Sequence, residues 1–78
     1  MARYTTDIKA LQKIMIDNDI NTITELSDKS GVNRNALSGM FNGRLQPTSE
    51  TMIKLVDCLH IEPAVAGEIF FKPDLRDT

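Results

Sequence analysis

The reading of this chain turns on residues 22–41, Thr22 to Phe41, TITELSDKSGVNRNALSGMF. The stretch divides into two short helices hinged at Gly31. Thr22 and Glu25 have the spacing of a capping box. In that arrangement the Thr22 hydroxyl accepts from the Glu25 N–H, and the Glu25 carboxylate reaches back to the Thr22 N–H. Leu26 is the first core residue, and Ser27 is small enough to let a second helix cross closely. Gly31 takes a positive φ without a Cβ clash, so it can end the first helix and turn the chain. Val32 is the apolar residue after the turn, and Asn33 is a good N-cap for the second helix. Leu37 and Met40 are three apart and face the core. That leaves Asn33, Arg34, Asn35 and Ser38 outward at the start of the second helix.

Helical signals continue on both sides. Ile8, Leu11, Ile14 and Met15 make an apolar stripe that predicts a helix from about 7 to 18, with Lys9, Lys13 and Asp17 off the stripe. Ile20 points inward from the connection. After Phe41, Asn42-Gly43 is a turn signal, and a left-handed Gly43 stops the helix. Pro47 leads into a fourth helix capped by Thr48 or Ser49, with Glu50 in the first turn where the dipole favours an acid. Met52, Leu55, Val56 and Leu59 form its buried face, and Cys58 beside them reads as a small core residue. Glu62-Pro63 opens a fifth helix. Val65, Ile69 and one of Phe70 and Phe71 are expected to dock on the bundle. Two adjacent aromatics cannot face the same way, and an exposed one is a candidate contact for a second subunit, the alternative being that both are half buried. Met1–Thr5 reads as an arm in which Arg3 could touch a phosphate. Residues 1–71 are the expected domain, and 72–78 a flexible tail.

Composition bounds the function. Seventy-eight residues allow one small domain, which buries only about 60% of its unfolded surface and gains from dimerisation. No run of ~20 apolar residues could span a membrane, and the first residues lack the apolar core of a signal peptide. The lone Cys58 cannot form an internal disulfide, so a reducing cytoplasm is expected. The net charge of −2 argues against strong nonspecific binding to nucleic acid. Yet Lys29, Arg34 and Arg44 fall in a window, Lys29 to Ser49, that holds no Asp or Glu. The single histidine, His60, has no partner at nucleophile–base spacing, and no His/Cys cluster suggests a metal. Gly39 and Gly43 follow no strand, so they make no phosphate-binding loop. No catalysis, cofactor or small-molecule substrate is expected.

The two-helix stretch resembles the helix-turn-helix of the Cro/C1-type repressor family. The resemblance rests on Leu26, Ser27, Gly31, Val32, Leu37 and Met40, and continues through Asn42-Gly43-Arg44, Pro47-Thr48 and residues 52–59. It covers roughly Ile8 to Phe70. It implies an all-α, lambda-repressor-like bundle of five helices with the helix-turn-helix at the second and third. In that family the second helix of the pair enters the major groove of DNA with its N-terminal residues on base edges. Here those are Arg34 and Asn35, with Asn33 and Ser38 beside them. Arg can bond guanine O6 and N7, and Asn adenine N6 and N7. By the same resemblance Asn42 and Arg44 hold phosphate, with Lys29 a weaker addition. His60 stands where relatives often have a helix-ending glycine.

Two positions depart from the pattern. Ile23 replaces the polar residue that many members carry at the start of the second helix. Gly39 replaces a long polar side chain on the DNA face. The chain is also similar to small lytic-switch regulators of temperate phages, including the modulator-of-repression type. That similarity implies a role in a lysogeny switch within the host bacterial cytoplasm. It also implies an alternative partner, a phage repressor gripped as an antirepressor grips it, through Ile23, Val32, Asn35 and Gly39.

Overall fold

The computed structural model describes residues 4–73. Within them lie five helices: α1 (Ile8–Asp17), α2 (Ile23–Ser30), α3 (Arg34–Phe41), α4 (Ser49–Leu59) and α5 (Pro63–Phe70). The fold is all-α, as the apolar stripes require. Two-residue strands β1 (Tyr4–Thr5) and β2 (Lys72–Pro73) pair antiparallel, Tyr4 opposite Pro73 and Thr5 opposite Lys72.

Local chemistry sets each helix boundary. The Asp7 side chain caps α1 by accepting from the Ala10 N–H at 3.2 Å. The Thr22 hydroxyl accepts from the Glu25 N–H at 3.1 Å. The Glu25 carboxylate meets that hydroxyl at 3.4 Å, so the box closes on the side chain rather than on the Thr22 N–H. Asn33 and Thr48 cap α3 and α4 through their side-chain oxygens. Pro63 occupies the first turn of α5, where a missing N–H costs nothing. Gly31 ends α2 at φ 79°, and Gly43 turns the chain after α3 at φ 82°. His60 ends α4 in the left-handed region, at φ 55°.

The core joins every helix. Leu11 and Met15 of α1, Leu26 of α2, Leu37 and Met40 of α3, Leu55 and Leu59 of α4, and Ile69 and Phe70 of α5 are buried together with Ile20, Val32 and Ile61. Ile14, Met52, Val56 and Cys58 are partly buried against it. Val65 differs from expectation: it is exposed, because the docking face of α5 runs through Ala66, Ile69 and Phe70.

The ends of the described chain also differ from expectation. Thr5 belongs to a strand rather than an arm, and Lys72 and Pro73 belong to its partner rather than a tail. Three contacts hold the pair to the bundle. The Asp7 N–H donates to the Ile69 carbonyl at 2.7 Å, the Lys72 ammonium lies 3.7 Å from the Asp7 carboxylate, and the Tyr4 and Phe71 rings meet edge to face at 6.1 Å. Arg3 and residues 74–78 lie outside the described residues.

Candidate nucleic-acid interface

The α2–turn–α3 unit is built from short-range bonds. The Ser27 hydroxyl donates to the Val32 carbonyl at 2.7 Å, and the Val32 N–H donates to the Ser30 hydroxyl at 3.2 Å. These two bonds straddle Gly31 and fix the angle between the helices. Ser27 therefore does more than stay small, a role that only the folded turn reveals.

Helix α3 has two unlike faces. Leu37, Gly39 and Met40 are buried, whereas Asn33, Arg34, Asn35 and Ser38 are exposed. Arg34 and Ser38 are four apart and Asn35 and Ser38 three apart, so they share one surface of the helix. The Asn33 side-chain oxygen Oδ1 is already engaged, accepting from the N–H groups of Asn35 (2.7 Å) and Ala36 (3.4 Å). Asn33 thus orients the tip and keeps only its amide N–H donors for another molecule.

The loop after α3 is held to the helix. The Gly39 carbonyl accepts from the N–H groups of both Arg44 and Leu45, at 2.9 and 3.1 Å. The Asn42 side-chain oxygen accepts from the Arg44 backbone N–H (3.2 Å) and from its Nε (3.1 Å). The terminal guanidinium nitrogens of the exposed Arg44 are then aimed rather than loose, and present a charge able to bond phosphate oxygens. Gln46, which the sequence did not single out, anchors the far end of this loop by donating from Nε2 to the Phe70 carbonyl at 2.7 Å. A bond across 24 positions carries no local signal. Lys29 is exposed in the last turn of α2.

Several expected contact residues lie elsewhere. Val32 is only 4% exposed and belongs to the core. Gly39 is buried, and the space above it is filled by Leu45 of the same chain. Ile23 is half-buried against the core. Of the four residues expected to grip a repressor, only Asn35 is fully exposed. Phe70 is 1% exposed and unavailable to a second subunit, whereas Phe71 is 51% exposed. Among the described residues no group of His, Cys, Asp and Glu could hold a metal ion, and no helix is long and apolar enough to cross a membrane.

An exposed polar tip on the second of two helices, braced at a glycine turn and followed by a loop that carries Arg44, defines a helix-turn-helix protein. A family model described as helix-turn-helix matches residues 20–65, which span α2, α3, α4 and the start of α5. The chain belongs to that family, in its Cro/C1-type form, whose domain is a DNA-binding and generally non-enzymatic regulator of transcription. No curated protein and no solved structure shows a significant match to it.

Proposed function

We propose that this chain controls a genetic switch of the phage type by binding operator DNA, with α3 in the major groove. The observation that supports this is the division of α3: Arg34, Asn35 and Ser38 are exposed at its start while Leu37 and Met40 seat it on the core. Arg34 reads a guanine, Asn35 an adenine, and Ser38 a neighbouring group. Arg44, steadied by Asn42, and Lys29 hold the backbone on either side. One module of this size offers few contacts, so two copies on paired half-sites are expected. The exposed Phe71 is the residue of α5's end that such a pairing can use. The protein acts in the bacterial cytoplasm, where that DNA lies.

One observation favours a second reading. The window from Lys29 to Ser49 carries three cations, of which Arg34 alone lies on α3, and the chain as a whole has net charge −2. A modulator that masks a phage repressor needs little phosphate attraction. With Val32 and Gly39 buried, its contact would centre on Asn35, the exposed edge of Ile23 and the polar tip.

A gel shift with candidate operator duplexes at low salt, with and without the resident repressor, separates the two. A shift by this protein alone, abolished by Arg34→Ala, supports operator reading. No shift alone, with loss of the repressor's own shift on mixing, overturns it in favour of the modulator.

A further inference from the structure

A cavity of about 930 Å³ lies beside the C-terminal end of α3, outside the tip that reads bases. Thr6, Asp7, Lys9, Asn42, Arg44 and Lys72 line it. These residues come from four places in the sequence: the β1–α1 connection, the first turn of α1, the α3–α4 loop and β2. Three of them are cations and one is an acid, in a chain whose total charge is −2. The single acid is already engaged, since the Asp7 carboxylate accepts from the Ala10 N–H and faces the Lys72 ammonium. Lys9 is exposed, and Arg44 is oriented by Asn42. Thr6 adds a second observation. It is 8% exposed, and its hydroxyl is buried with no hydrogen-bond partner among the described residues. A buried hydroxyl without a partner is costly; Thr6 lines the groove, and the groove's charge comes from the exposed Lys9, Arg44 and Lys72.

We infer that this groove is a second seat for the DNA backbone, taking a phosphodiester beyond the footprint of α3, with Lys9 as its main new contact. Asn42 and Arg44 belong both to the groove and to the loop that follows α3, so the two surfaces are continuous. The inference rests on the DNA-binding reading and extends it. It makes the pairing of β1 with β2 functional, because that pairing brings Lys72 and Thr6 to the same groove as Arg44. A phosphate here carries no sequence information; it fixes register and adds to the salt dependence of affinity.

The test compares Lys9→Gln with Lys13→Gln, which removes the same charge from the same helix at an exposed position that does not line the cavity. The readouts are the affinity for duplex DNA against salt concentration and the amide shifts of the wild-type chain on titration with a short duplex. Loss of one phosphate contact reduces the slope of log K against log salt by about 1. Lys9→Gln is expected to show that loss with unchanged base preference, and Lys13→Gln is expected to keep the full slope. Amides of Thr6, Lys9 and Arg44 are expected to shift along with those of α3. Equal slopes for the two variants, or shifts confined to α3, overturn the groove and leave base reading by α3 standing. Shifts in the groove without shifts in α3 support the groove and overturn base reading. An absence of shifts in both overturns both.

Discussion

The side chain of Leu45 closes over Gly39: a Cβ built at Gly39 would stand 2.6 Å from Leu45 Cδ1 and 3.0 Å from its Cγ. The glycine within α3 is therefore explained by the chain's own loop, not by a visiting molecule. Alanine would add about 1 kcal/mol of helix propensity but must push Leu45 aside. Leu45 is 57% exposed, so it can swing out and take the Arg44 loop with it. Gly39→Ala is expected to be more favourable to stability in a Leu45→Ala background than in the wild type, with a coupling of about 1 kcal/mol by denaturant unfolding. Additive effects of the two changes would show that Leu45 does not occupy that space.

The hydroxyl of Ser27 separates two explanations of its place in the turn. If only small size matters, Ser27→Ala is silent. The 2.7 Å bond to the Val32 carbonyl predicts instead a loss of about 1 kcal/mol. Chemical denaturation reads this directly. An unchanged midpoint would assign Ser27 to packing alone.

His60 adopts φ 55° as the residue that ends α4. An L side chain there costs roughly 1–2 kcal/mol relative to right-handed backbone, and glycine escapes that strain. His60→Gly is expected to raise stability by about 1 kcal/mol, less the added freedom of the unfolded chain. A lower thermal midpoint in the variant would reveal a contact made by the imidazole.

Arg34 is exposed at the first position of α3. Its replacement by alanine is expected to leave folding stability within about 0.5 kcal/mol. DNA affinity should fall by about 1–3 kcal/mol, with preference relaxed at one base pair. Selection of binding sites from random duplexes measures both effects. An identical preference in the variant would remove Arg34 from base reading.

Caps, stripes and turns were legible because their physics is local. Thr22, Asn33 and Thr48 bond N–H groups two or three residues on, and Gly31 and Gly43 meet backbone angles that their own positions demand; the Asp7 cap of α1 came only with the structure. The outward set Arg34, Asn35 and Ser38 follows from helical period once Leu37 and Met40 are assigned to the core. Val65 and Phe71 were harder to place, because α5 is so apolar that its composition points to no single face.

Residues 22–41 thus determined the helix-turn-helix with its polar tip, and the apolar stripes and turn signals on either side determined the bundle, because each cap, turn and stripe is a short-range signal and their joint spacing places them. Only the tertiary structure decided what surrounds the tip. It buried Val32, laid Leu45 on Gly39 and tied Gln46 to Phe70. By pairing β1 with β2 it gathered Lys9, Arg44 and Lys72 around one groove. Those relationships join positions that no periodicity links. They exist because closing the core brings distant backbone together, so that groups such as the Gln46 amide and the Phe70 carbonyl meet across the fold.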